Sequence, residues 1–305
     1  MPFTTNMTGT AALDHSIIEL YDQQFVIASA EMGVMEQLVT HRRDIGAKSI
    51  SMPKYAQLAL ATTALTQDED VTSEAMVDSE IIFTPAEYGK VVTTTKLANL
   101  QTGGKADLAA ARLVGMNMGR TNDKLAVLAC EASANVLTST GGAVADLVAA
   151  NVMTPAFLGK LYNKIARSNI MPLMEGHYVA VMHDDVIHDI RESAGWQDVA
   201  KYSDAMEVLK NEVGIFKGFR ILRDNLTTIQ VDAGDGAVDV YNTICLGFNA
   251  LGKATSQESS IVFTGPFDKL NRFVNIGWHG VHHYGIVDTA AVFVGKSSSS
   301  VGVNV

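Results

Sequence analysis

KADLAAARLVGMNMGRTNDKLAVLACEASANVL, residues 105 to 137, lies between Gly103-Gly104 and the run Thr138-Ser139-Thr140-Gly141-Gly142. It contains no proline. Val114, Met118, Leu125, Leu128, Ala132 and Val136 recur at spacings of three, four or seven, which marks one face of a helix. Arg112, Arg120, Asp123, Lys124 and Glu131 occupy other positions. Unbroken, about 33 residues at ~1.5 Å each make a rod of roughly 50 Å. That is several times the usual helix of a globular domain. The side chains are small, with alanines at 109, 110, 111, 126, 129, 132 and 134. Gly115 and Gly119 each cost about 1 kcal/mol against alanine in a helix interior, so they mark bends or close contacts. A thin rod of this kind needs other elements, or other subunits, to cover it.

The 305 residues allow one large domain or two ordinary ones. A hydrophobic content of 47% implies a real core. Only 18% of residues are charged, below the usual quarter. So few charges suit a chain that hides surface in permanent interfaces. A net charge of −10 argues against a surface built to grip nucleic acid; it does not exclude a container around DNA. Cys130 and Cys245 sit among apolar neighbours without zinc spacing, and read as buried free thiols. The polar start, Met1 to His15, is no signal peptide. No apolar run reaches membrane-spanning length.

Outward from the rod, residues 1–14 read as an irregular arm. Ser16 to Thr40 is helical in pattern, and His41-Arg42-Arg43-Asp44 closes it. Lys48 to Met52 alternates polar and apolar residues before Pro53, as an edge or arm strand does. Ser79 to Thr84 and Val91 to Thr95 are β-rich. Between these stretches lie Asp68, Glu69, Asp70 and Glu74. The pattern is that of a long two-stranded projection, and an isolated hairpin is only marginally stable. Such a projection requires a supporting partner. Beyond the rod, Thr154-Pro155 starts a helix. His177 to His183 is a buried strand, and Asp184-Asp185 caps a helix. A further helix covers Val199 to Leu209. Tyr241–Leu251, Ser260–Thr264, Phe273–Trp278 and Tyr284–Val294 read as strands, and Ser297 begins a polar tail. The order is α+β, without regular βαβ alternation.

Three clusters invite a chemical reading. His183, Asp184, Asp185, His188 and Asp189 lack the i, i+4 histidine pair of a zinc helix, and helix capping explains the acids. His279, His282 and His283 have no carboxylate among them, so packing or interface roles suit them better than a metal. Asp232, Asp235 and Asp239 fit a turn and miss the calcium-loop pattern. No nucleophile elbow or phosphate-binding glycine loop is present.

Several strings in order carry a resemblance. Thr84-Pro85-Ala86-Glu87-Tyr88-Gly89 precedes the rod, and Val179-Ala180-Val181-Met182-His183 precedes a short helix. Val213-Gly214-Ile215-Phe216-Lys217-Gly218-Phe219-Arg220-Ile221 follows Lys201-Tyr202-Ser203. Ile276-Gly277-Trp278 leads to Gly285-Ile286-Val287-Asp288. Together they resemble the major capsid proteins of tailed double-stranded DNA bacteriophages, with the Hong Kong 97-like fold. The resemblance covers nearly the whole chain. It implies an N-terminal arm and helix at 1–43 and an extended loop at 44–98. It implies a peripheral domain at 99–149 and 266–305, with the rod as its spine helix, and an axial domain at 150–265. Val114, Met118, Leu125 and Leu128 would belong to the spine. Lys54, Asp68, Glu69, Asp70 and Glu74 would belong to the loop that meets a neighbouring subunit.

The resemblance further implies a structural virion protein, not an enzyme, with no cofactor and no membrane. It would assemble with itself into hexamers and pentamers, aided by a separate scaffolding protein and a portal. A cement protein is a further possible partner. The icosahedral shell would form in the host cytoplasm and enclose double-stranded DNA without reading its sequence. Two other readings stay open. One is an encapsulin-like compartment of the same fold. The other is a soluble metal-dependent hydrolase using His183, Asp185 and the His279 region.

Overall fold

The computed structural model describes residues 34–301, apart from 45, 47, 57, 66, 69, 103, 175, 194–211 and 267. The expected arm, most of the Ser16–Thr40 helix, the helix at Val199–Leu209, Glu69 and the last four residues lie outside that set. The architecture rests on two sheets bridged by one long helix. The first sheet has the order β1-β11-β12-β4 and the second β5-β13-β10-β6-β8-β7, with β9 added to β10. β1 is Thr40–Arg43, β4 Ala86–Thr95, β11 Leu251–Thr264 and β12 Phe273–Ile286. In the second sheet, β5 is Val136–Thr138, β6 Tyr178–Met182, β7 Glu212–Phe216 and β8 Phe219–Arg223. Ile229–Gln230 is β9, Val240–Leu246 β10 and Val292–Ser297 β13. β2 (Ile50–Tyr55) and β3 (Asp78–Phe83) form a separate two-stranded ribbon.

After the short helix α1, Lys96–Gln101, the long helix α2 runs from Lys105 to Glu131. It is continuous through Gly115 and Gly119, which are buried within it. At 27 residues it measures about 40 Å, shorter than the expected rod. The helix ends because its last turn is replaced by side-chain and sheet bonds. Ser133 Oγ donates to the Val292 carbonyl at 3.1 Å and accepts the Asn135 N–H at 3.2 Å. The Asn135 amide donates to the Thr289 carbonyl at 2.5 Å. The chain then enters β5, parallel to β13, so Val136 and Leu137 are strand residues. Val136 therefore leaves the expected helical face.

The buried stripe of α2 winds round the helix as it passes from one sheet to the other. Ala110 and Ala111 meet Ile276, while Val114 and Met118 meet Trp278, all on β12. Trp278 Nε1 also donates to Asn117 Oδ1 at 3.0 Å. Further along, Ala126, Val127 and Cys130 enter the core of the second sheet, with Leu125 partly buried beside them. Because the stripe has turned by then, Leu128 is 47% exposed. A single apolar face drawn along the whole helix therefore fails at its C-terminal end.

The second sheet is buried on both sides, and its alternation sorts the core. Val179, Val181, Leu222, Ile244 and Leu246 face α2 and the 3-10 turn Met35–Leu38. Tyr178, Ala180, Met182, Phe219, Ile221, Tyr241 and Cys245 face the other side. There they meet α3, Pro155–Arg167, through Phe157, Leu158, Leu161 and Ile165, and α4, Asp184–Glu192, through Val186, Ile187 and Ile190. Thr154 caps α3 by accepting the Phe157 N–H at 3.2 Å, as read from the Thr-Pro pair. The cap of α4 is His183, whose Nδ1 accepts the Asp185 N–H at 3.2 Å; the two aspartates sit in its first turn. Cys130 and Cys245 are free and buried, and burial pushes both thiols up.

Several strand boundaries differ from the sequence reading. His41 to Arg43 is strand, not a closing patch, and pairs in parallel with Lys253 to Thr255. The expected strand Tyr241–Leu251 breaks after Leu246. A Cβ at Gly247 would stand 2.6 Å from Ile170 Cγ2, and Asn249 has φ +54°. The polar stretches Lys253–Ser259 and His279–His283 are strand because β11 and β12 pair along their length. Ser297, Ser298 and Ser299 are buried rather than a loose tail; Ser298 Oγ donates to the Ala149 carbonyl at 3.1 Å.

Trp278 joins α2 to its first sheet. Replacing it by alanine is expected to destabilise the subunit by about 3–5 kcal/mol, measured by chemical denaturation.

Candidate functional site: the projecting hairpin

The ribbon β2–β3 is antiparallel, with Ile50 opposite Phe83 and Tyr55 opposite Asp78. Pro53 stands opposite Glu80, which a two-stranded ribbon tolerates because proline removes only one ladder donor. The base of the ribbon is fixed. Ile50, Met52 and Phe83 pack on Ala254 and Val287. Phe83 lies over β12 where a side chain is absent: a Cβ at Gly285 would approach Phe83 Cε1 to 2.2 Å. Its ring is also 5.5 Å from the His283 ring. Lys54 Nζ binds Asp288 Oδ1 at 2.9 Å. Ser51 Oγ donates to Glu80 Oε2 at 2.9 Å.

Beyond Tyr55 the support ends. Residues 58–77 have no strand or helix among the described positions. Leu58, Leu60, Leu65, Val71, Met76 and Val77 are all exposed, Leu60 by 87%. This concentration of exposed large apolar side chains in one segment departs from the singly scattered apolar residues of an ordinary surface. Interspersed in the same segment, Asp68, Asp70 and Glu74 are exposed. Asp70 Oδ1 accepts the Val71 N–H at 2.9 Å, and Glu74 Oε1 accepts that of Ala59 at 3.4 Å. At the foot of the ribbon is an open cleft of about 590 Å³, bordered by Lys54, Tyr55, Met171, Phe248 and Asp288.

The other sequence candidates are dispersed. His183 lies 3.2 Å from Asp185 Oδ2, which takes the Tyr241 hydroxyl at 2.9 Å. His188 is exposed, and Asp189 binds the Ser300 N–H and hydroxyl. His279 pairs with Glu87 at 2.7 Å across the adjacent strand. His282 is fully buried between Tyr88 and Tyr284; burial, then the charge of Lys253, holds its imidazole down to about 4. His183 and His279 thus stand on different sheets, and among the described residues no group of three His, Cys, Asp or Glu is placed to hold a metal ion. The Asp232 N–H binds Asp239 Oδ1 at 3.0 Å in a turn where Asp232 has φ +55°. The sequence pattern missed one element near the hairpin. Glu36 joins Lys253 Nζ and the Tyr284 hydroxyl, at 2.5 and 2.7 Å, and so ties the Met35–Leu38 turn to β11 and β12. No local motif signals a contact between residues more than 200 apart.

Comparison with known proteins places this architecture. No protein-family model and no curated protein sequence matches the chain. Solved structures do. The capsid of Ralstonia phage GP4 superposes with a TM-score of 0.73 at 13% identity, over 88% of this chain and 92% of that one. The chain has the Hong Kong 97-like capsid fold. The Cyanophage Pam1 capsid has the same capsid fold with a TM-score of 0.64 at 14% identity, over 88% of each chain. So does the virus-like particle from Pyrococcus furiosus, at 0.53 and 13%, over 91% of this chain and 98% of that one. In this fold α2 is the spine helix and the ribbon with its tip is the extended loop.

The base and the salt bridge of the extended loop separate by mutation. Lys54→Ala should change subunit stability by no more than about 1 kcal/mol, since the lysine is 44% exposed. Phe83→Ala should cost about 3 kcal/mol or more. Urea denaturation of the two variants measures the difference.

Proposed function

We propose that this chain is the major capsid subunit of a tailed double-stranded DNA bacteriophage. It assembles as hexamers and pentamers into an icosahedral head shell that encloses the genome. The observation that carries the reading is the likeness of nearly the whole chain to subunits of phage capsids, at a TM-score of 0.73 for the Ralstonia phage GP4 capsid. The extended loop supports it from within the chain, because the apolar side chains of its tip are left exposed on their own subunit. Obligate interfaces are large and apolar, and a neighbouring subunit supplies such a surface.

In this reading the base of the loop, with Lys54, sets its direction. Asp68, Glu69, Asp70 and Glu74 belong to the same stretch of sequence and help to select the surface it meets. The domain division follows: arm and first helix at 1–43, extended loop at 44–98, peripheral domain at 99–149 and 266–305, axial domain at 150–265. The subunit has no catalytic role and binds no cofactor. Assembly draws on a separate scaffolding protein and a portal, with a cement protein as a possible addition. The acidic net charge of −10 suits a wall that encloses DNA and does not clamp it. The mature protein resides in the virion capsid. The virus-like particle from Pyrococcus furiosus favours a second reading, an encapsulin-like compartment; scaffold and portal genes beside this one would decide for the phage.

Deleting residues 64–76 should leave a folded subunit with the thermal unfolding of the parent and little assembly. Sedimentation velocity reads the outcome. Shells of normal yield and thermal stability from the deletion variant would remove the loop from the account.

A further inference from the structure

Two buried acids share one unmet requirement. Asp123, on the inward side of the spine helix, is 2% exposed, and Asp224, just after β8, is 5% exposed. Each carboxyl group spends one oxygen on the backbone. Asp123 Oδ1 accepts the N–H groups of Val34 and Met35, at 3.0 and 2.7 Å. Asp224 Oδ1 accepts the Leu226 N–H at 2.8 Å. The Oδ2 atom of each is buried and has no hydrogen-bond partner, and the charge of Asp224 acts on Asp123. Two ionised carboxylates repel, and they hold no proton to bridge them. One proton between them satisfies both orphaned oxygens.

Several neighbouring charges are engaged with other groups. Lys124 Nζ is committed to the Leu226 carbonyl at 2.8 Å and Thr228 Oγ1 at 2.6 Å. Glu131 accepts the Thr228 N–H at 2.8 Å. From the sheet side, Tyr284 gives its hydroxyl to Glu36, which also holds Lys253 and stands 4.0 Å from His41. Arg223 pairs with Asp184 at 3.7 Å.

We propose that Asp123 and Asp224 share a single proton, and that this proton is a latch holding the Met35–Leu38 turn against the spine helix. The turn is what the latch secures. Met35 and Leu38 are buried with Ala126, Val127 and Cys130, and the turn leads directly into β1. Losing the proton leaves both carboxyl groups charged, so the carboxylate that anchors the turn faces a second negative charge. Burial, then the charge of Asp224, pushes Asp123 up to about 8. Above its ordinary carboxylate range, the closed state keeps a proton that a solvated Asp123 releases. The closed-to-open ratio therefore falls by about tenfold per pH unit up to about pH 8, and no further above it. The latch acts in the subunit whichever kind of shell it builds.

The test compares the parent with Asp123→Asn. The amide of Asp123→Asn donates to Asp224 and keeps an oxygen for Val34 and Met35. Infrared difference spectra should show a protonated carboxyl group in the parent at neutral pH, lost above about pH 8 and absent from the variant. Hydrogen exchange at Val34 and Met35, corrected for the intrinsic rate, should lose about tenfold protection per pH unit up to about pH 8 in the parent alone. Asp224→Asn serves the same comparison if Asp123→Asn does not fold. The latch is overturned if the parent has no protonated carboxyl group at neutral pH, or if its exchange follows the same pH dependence as the folded variant.

Discussion

The structure depends on one helix serving two sheets. The spine helix cannot bury a straight stripe, because its first half lies on β12 and its second half on the core of the larger sheet. The stripe must wind, and small residues make this possible. Ala110, Ala111, Gly115, Gly119 and Ala126 bring the backbone close to its neighbours wherever the buried side happens to face. The glycines lower helix propensity without breaking the helix, because burial along its length outweighs a cost of about 1 kcal/mol each. Everything else is positioned from this rod. Trp278 fixes the smaller sheet, Asp123 fixes the Met35–Leu38 turn, and Ser133 and Asn135 turn the end of the helix into β5.

The extended loop presents the opposite condition. Its base is packed, paired and placed over a glycine, while its tip carries exposed leucine, valine and methionine side chains. A packed base with an exposed apolar tip makes sense if burial occurs after folding, on another copy. The low proportion of charged residues, 18%, agrees with a chain whose folding continues into assembly.

The long helix, the caps at Thr154 and the hairpin with its acidic middle were legible because each follows a local rule. The spine's length was overread, since Ala132 to Leu137 keeps the apolar spacing while Ser133 and Asn135 bond to the β12–β13 connection and its following strand. Periodicity reports spacing and says nothing of such distant partners. The same blindness hid β1, whose exposed Thr40 to Arg43 is strand only because β11 lies beside it. It also hid the polar middle of β12 and the buried serines 297 to 299, and it placed Leu128 on the wrong side of a winding stripe. In the candidate site, Lys54 and the acids were visible as residues; the pairing of Lys54 with Asp288 and the Glu36–Lys253–Tyr284 junction were not, because they join positions far apart in the chain. The capsid resemblance, carried by the order of weak strings, reached the fold that no single motif specifies.

Electron microscopy of the purified full-length protein tests the central claim most directly, that the chain is a shell subunit whose fold is completed by its neighbours. The account predicts closed shells, or rings with five- and six-fold symmetry. A discrete small oligomer carrying stoichiometric bound metal would contradict it.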